Sequence, residues 1–180
     1  MSAEGGSLWV VSSVVLIALV GAAAWADLRS RRIPNWLTLG VLVSGLGLRA
    51  LDGLTSLAQG VLGAGLGLAI AVVLFGLGAM GGGDGKLLIG VGAFLGHERF
   101  VGALLLIGVL GGVLGIVEAV RRGVILPSML HAAGMIRRWV TLGRSGEIRT
   151  LKTPGAVTVP YGVALALGSG VGWFWGGTIP

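Results

Sequence analysis

Two long stretches without a single charged side chain do most to limit what this chain can fold into. No Asp, Glu, Lys or Arg occurs between Glu4 and Asp27, nor between Asp52 and Asp84. A helix crossing the roughly 30 Å hydrocarbon core of a bilayer needs about 20 apolar residues, and both stretches supply them. Over the whole chain 54% of residues are hydrophobic and 11% charged, with a mean hydropathy of +0.96. A soluble domain carries roughly 25% charged residues, so this chain lacks the polar material to cover a water-facing surface. The composition implies an all-α, polytopic integral membrane protein. Its 180 residues allow about six transmembrane helices with short loops and leave no room for a second soluble domain.

Apolar runs place helix 1 at about Leu8–Ala26, helix 2 at about Trp36–Leu48 and helix 3 at about Leu54–Met80. Helix 4 is expected near Leu87–Gly96, helix 5 near Val101–Val120 and helix 6 near Val159–Trp175. The N-terminus has no basic residue before the first run. A secretory signal peptide needs a positive n-region, so helix 1 is expected to stay as a span. The net charge of +6 is concentrated in alternate loops rather than spread as a nucleic-acid footprint, and no nucleic-acid partner is implied. Arg29, Arg31 and Arg32, then Lys86, then seven basic residues from Arg121 to Lys152 account for eleven of the thirteen. The opposite side has Arg49 and Arg99. The positive-inside rule then puts both termini outside. The one long loop, 121–158, contains Pro127 to Val140 with apolar residues near helical spacing, an Arg pair and Trp139. It reads as an amphipathic segment on the cytoplasmic interface.

Two aspartates stand at the ends of apolar helices on that cytoplasmic side. Asp27 lies in Ala26-Asp27-Leu28-Arg29-Ser30-Arg31-Arg32-Ile33-Pro34-Asn35, and Asp84 in Gly81-Gly82-Gly83-Asp84-Gly85-Lys86. A carboxylate beside a membrane is costly and marks a functional site by default. A pair able to share a proton can hydrolyse a bond with no metal and no cofactor. A single Asp27 would read as a helix-end charge paired with Arg29, Arg31 or Arg32. The second, glycine-embedded aspartate on the same side favours function.

The span from Asp84 to Gly96 gives only about 20 Å of helix, short of a bilayer core. This suggests that the Gly81–Gly85 turn lies below the membrane surface with Asp84 in a hydrated recess. The glycine run would expose free backbone amides beside Asp84 and let a peptide approach. Lys86 reads as an interfacial anchor, and Ile33-Pro34-Asn35 as the cap of helix 2, with Pro at an early helix position and Asn as cap or turn.

Other motifs fail on position. A phosphate loop would require glycine at 80 and a hydroxyl at 87, where the chain has Met80 and Leu87. The dinucleotide-like Gly76-Leu77-Gly78-Ala79-Met80-Gly81 lies inside an apolar span with no preceding strand. Asp52 and Glu98 read as solvated loop charges, and Glu118 as an interface ion pair with Arg121 and Arg122. Zero cysteines exclude thiolate zinc sites and thiol nucleophiles. His97 and His131 have no second ligand at metal spacing, so no metal site is expected. Small-xxx-small spacings such as Gly63/Gly67, Gly111/Gly115 and Gly168/Gly172 read as helix packing.

Asp27 with Ile33-Pro34-Asn35, then Gly81-Gly82-Gly83-Asp84 with Lys86, then Val159-Pro160-Tyr161-Gly162 opening the last helix, together resemble a type IV prepilin peptidase. The likeness is to the short members serving tight-adherence (Flp-type) pilus systems. It implies a membrane-embedded aspartic endopeptidase that removes the short basic leader of prepilins or pseudopilins at the cytoplasmic face of the inner membrane. Asp27 and Asp84 carry over as the catalytic pair, with Gly81, Gly83, Lys86, Pro34 and Asn35 as support. Larger members carry a four-cysteine zinc domain and N-methylate the new terminus. With no cysteine and a direct start at helix 1, this chain is expected to lack that second activity. One aspartate would act as general base and the other as general acid on a shared water, the pair titrating as a unit. The rival readings are a small proton- or cation-coupled transporter component and a non-catalytic subunit of a pilus or secretion assembly.

Overall fold

The computed structural model describes residues 3–77, 79–123 and 161–175, all helical apart from short connections. The helices are α1 (Ala3–Ser30), α2 (Asn35–Leu51), α3 (Leu54–Gly76), α4 (Gly82–Arg121) and α5 (Tyr161–Trp175). Three of them, over Gly6–Ser30, Leu54–Gly76 and Gly82–Arg121, are long and apolar enough to cross a membrane, whereas Asn35–Leu51 is shorter. The expected segment at 121–158 falls, beyond residue 123, outside the described residues.

The two helices expected over this stretch are present, joined end to end across a kink as the 40-residue element α4. It bends at Gly96, whose φ of 72° and ψ of 166° are not helical. Positive φ is open to glycine without a Cβ penalty, so the bend sits where the sequence permits it and divides α4 into arms at 82–95 and 97–121. The carbonyl of Phe94, just before the bend, accepts the Arg49 Nε–H at 2.9 Å. Arg49 Nη1 also donates to the Ser56 carbonyl at 3.0 Å. Arg49 is therefore a staple joining α2, α3 and the α4 bend. Asp52 and Glu98 are exposed as expected.

The helix limits near the aspartates differ from expectation. α1 runs four residues past Ala26, so Asp27 is inside it. It ends with Arg31 at φ 52°, a left-handed conformation that commonly closes helices. α3 stops at Gly76 rather than Met80. α4 begins at Gly82, so Gly82–Gly85 form its first turn instead of an open loop. Asn35 is the first residue of α2, and the cap position is held by Pro34 with no side-chain cap bond.

Glycines set the packing because lipid gives helices no hydrophobic reason to associate and close backbone approach must supply it. A Cβ at Gly63 would run into the Gly92 carbonyl, and one at Gly67 would lie 3.0 Å from the Leu88 carbonyl. These contacts run α3 antiparallel to the first arm of α4. Gly45 meets Phe94, Gly90 meets Val41 and Gly83 meets Ile33, a parallel alignment of α2 with the same arm. Along the second arm, Gly172 meets Ala103, Gly168 meets Ile107 and Gly111 meets Tyr161, so α5 runs antiparallel to it. Gly108 and Gly112 face open space, and their spacing has no packing role in the described residues. The centre is filled by Phe94, Phe100, Leu16, Leu87, Leu88 and Leu165, while Leu54, Leu105 and Leu51 stand exposed on the outer face. Trp173 Nε1–H donates to Ser13 Oγ at 2.7 Å across α1 and α5. These alignments bring the end of α1, both ends of α4 and the starts of α2 and α5 to one end of the bundle.

Candidate active site

Asp27 is 5% exposed, although it lies only a turn from the end of its helix. Its Oδ2 accepts the Gly162 N–H at 2.9 Å. That amide lies in the first turn of α5, where backbone donors have no partner within the helix, and the carboxylate satisfies one of them. Arg31 is near enough to act electrostatically on Asp27. Its guanidinium nevertheless lies 3.6 Å from Glu118, which Arg122 also contacts at 2.6 Å. The Glu118 ion pair expected with its own neighbours thus extends to α1 and ties the two helix ends together.

Asp84 sits half-buried in the first turn of α4. The Gly81 amide hydrogen-bonds its carboxylate. A Cβ on Gly81 would lie 3.0 Å from Asp84 Oδ2, so glycine leaves that carboxylate its room. Gly83 is explained differently: its bare Cα faces Ile33, with a Cβ position 3.4 Å from Ile33 Cβ. It packs α4 onto the α1–α2 connection rather than opening a path for peptide. Gly82 is exposed. Lys86, expected as an interfacial anchor, donates from Nζ to Asn35 Oδ1 at 2.9 Å. Pro34 and Asn35 start α2 beside this contact. The two aspartates, on different helices, are close enough that the charge of Asp27 acts on Asp84. All seven residues expected at the site therefore gather at one end of the bundle.

Tyr161 and Gly162, which the sequence reading used only to mark the start of the last helix, also belong to this end. Tyr161 feels the charge of Asp84, and its ring packs on Gly111, where a Cβ would lie 2.8 Å from Tyr161 Cε1. Among the described residues no three His, Cys, Asp or Glu side chains form a group able to hold a metal. Two neighbouring carboxyl groups, each beside a backbone amide, can position a water and pass protons to and from it.

The sequence profile of the type IV leader peptidase family matches residues 14–116, more than half of the chain and a stretch that includes both aspartates. The chain belongs to the type IV leader peptidase family. A prepilin leader peptidase/N-methyltransferase of Aeromonas hydrophila is 34% identical over 113 residues. That match covers 59% of this chain and 39% of the relative. The chain thus spans well under half the length of the curated leader peptidase it matches. No solved structure matches. With the family established and helices of spanning length present, the protein is a membrane protein of the leader peptidase type.

Proposed function

We propose that this protein is an aspartic endopeptidase that removes the short basic leader from prepilins or pseudopilins at the cytoplasmic face of the inner membrane. The supporting observation is that the helix ends carrying Asp27 and Asp84 pack side by side, with Gly83 against Ile33 just beyond α1. One carboxylate takes a proton from a water held between them as its oxygen attacks the scissile carbonyl. The other, protonated, donates to the oxygen of the tetrahedral adduct. When the carbon–nitrogen bond breaks, a proton passes to the leaving amine, and the pair returns to its starting protonation.

In this reading residues 1–180 act as one transmembrane peptidase domain with about six spans, both termini outside, and the aspartate end toward the cytoplasm. The asymmetry of basic residues supports that orientation. Gly81 and Gly83 give Asp84 and the α4 start their room, and Lys86, Asn35 and Pro34 hold α2 against α4. The second activity in the relative's name, N-methylation, is not included. The four-cysteine zinc site associated with it in larger members cannot be built from a sequence with no cysteine. No cofactor is required.

The test is leader removal from a prepilin by purified protein in detergent or liposomes, with Asp27→Asn and Asp84→Asn beside the wild type. Cleavage by the wild type and not by the variants supports the reading. A wild-type protein that leaves the prepilin intact but moves protons or cations across a liposome points to the transporter class. Inertness in both assays points to an assembly subunit.

A further inference from the structure

The first turn of α5 is fastened to the site by two close contacts from two directions. Gly162 gives its amide hydrogen to Asp27 Oδ2 at 2.9 Å, a buried bond between residues 135 positions apart. The space that a side chain at 162 would need is occupied by the same aspartate. A Cβ there would lie 2.9 Å from Asp27 Cβ and 3.0 Å from Oδ2, at or inside the closest approach real side chains make. One position away, the Tyr161 ring is seated on the bare Cα of Gly111 within the field of Asp84. The turn is thus wedged between the second arm of α4 and the end of α1.

We infer that Gly162 is a positioning residue of the hydrolytic pair, fixing the Asp27 carboxyl by its amide and by the absence of its own side chain. Tyr161, seated on Gly111, holds the turn that carries it in register. The inference rests on the two-aspartate reading above. It adds an orientation to Asp27: Oδ2 is turned toward the amide, and the acceptor sites that remain on the carboxyl are free to hold water or exchange a proton. A short, directed N–H bond to a carboxylate is among the stronger hydrogen bonds available.

The experiment compares three glycines of the same helix. Gly162→Ala places a methyl group against Asp27. Gly168→Ala places one against Ile107, away from the carboxylates, where the Cβ would lie 3.0 Å from the Ile107 backbone nitrogen. Gly170→Ala faces open space. Steady-state cleavage of a prepilin is measured with the fraction of folded protein determined for each variant. Displacing a reacting group by about 1 Å costs on the order of 100-fold in rate. The expected result is therefore a kcat for Gly162→Ala lower by roughly that factor, with KM within about twofold of wild type. Gly168→Ala should lose thermal stability yet keep the wild-type kcat per folded molecule, and Gly170→Ala should match wild type in both. Gly111→Ala, acting through Tyr161, should reproduce the kcat loss in milder form and serves if Gly162→Ala does not accumulate. Wild-type kcat in both Gly162→Ala and Gly111→Ala overturns the inference, as does an equal kcat loss per folded molecule in Gly168→Ala. Failure of the underlying reading looks different: the wild type does not cleave, or Asp27→Asn cleaves as well as wild type.

Discussion

Lys86 Nζ lies 2.9 Å from Asn35 Oδ1, a side-chain bridge from just beyond the first turn of α4 to the start of α2. Both residues are exposed, and an exposed polar contact contributes under about 1 kcal/mol. Its effect is therefore on alignment more than on stability. A double-mutant cycle with Lys86→Ala and Asn35→Ala, read by thermal melting in detergent, should show a coupling of a few tenths of a kcal/mol. Strict additivity would mean that the bridge does not form.

Asp27→Asn and Asp84→Asn are each expected to abolish leader removal while the protein still accumulates in the membrane. Asparagine keeps the shape of aspartate but can serve as neither general base nor proton donor. Asp52→Asn, at the opposite end and exposed, should retain activity. Processing near the wild-type rate by either dyad variant ends the two-aspartate assignment.

Leader removal should be indifferent to chelators and to thiol reagents. The sequence has no cysteine, and among the described residues no three ligating side chains cluster. An activity lost in chelator and recovered specifically with zinc would count against hydrolysis by carboxylates alone.

The proposed orientation is open to labelling, which is unusually clean in a chain without native thiols. A cysteine at Ser30 should resist impermeant reagents in intact cells and react after permeabilisation, and one at Thr55 should do the reverse. Labelling of position 30 from outside would invert the topology and leave the aspartates in the wrong compartment for prepilin processing.

The α3–α4 seam predicts a stability contrast between glycines. Gly63→Ala must push a methyl group into the Gly92 backbone, whereas Gly108→Ala meets nothing within 4 Å. Overpacking of this kind costs about 1–3 kcal/mol, and backbone cannot move aside as a side chain can. Melting temperatures in one detergent should fall for Gly63→Ala and stay put for Gly108→Ala.

Much of this was legible in the sequence, because in a membrane protein charge is scarce and each charged residue carries information. The two aspartates and their common end followed from the spacing of apolar runs and the asymmetry of Lys and Arg. Helix limits were harder to read. Glycine weakens the helical signal wherever it occurs, so Gly82–Gly85 read as a loop although the turn is helical. The break expected between the fourth and fifth helices, by contrast, was legible, because it falls at the Gly96 kink. Contacts across the bundle left no local trace. Arg49 counts in the sequence only toward the charge of the opposite side, because nothing near it in the chain reveals the Phe94 carbonyl that it meets. Gly162 marks only a helix start in the sequence, since its partner Asp27 is 135 residues away.

That separation bears on how the protein is made. Residues 27, 84 and 162 leave the ribosome in that order, and the amide that holds Asp27 arrives with the last described helix. A nascent chain that has inserted only its first helices carries both carboxylates but not the contact that orients one of them. Chain growth itself therefore leaves Asp27 without its Gly162 amide until α5 enters the bundle.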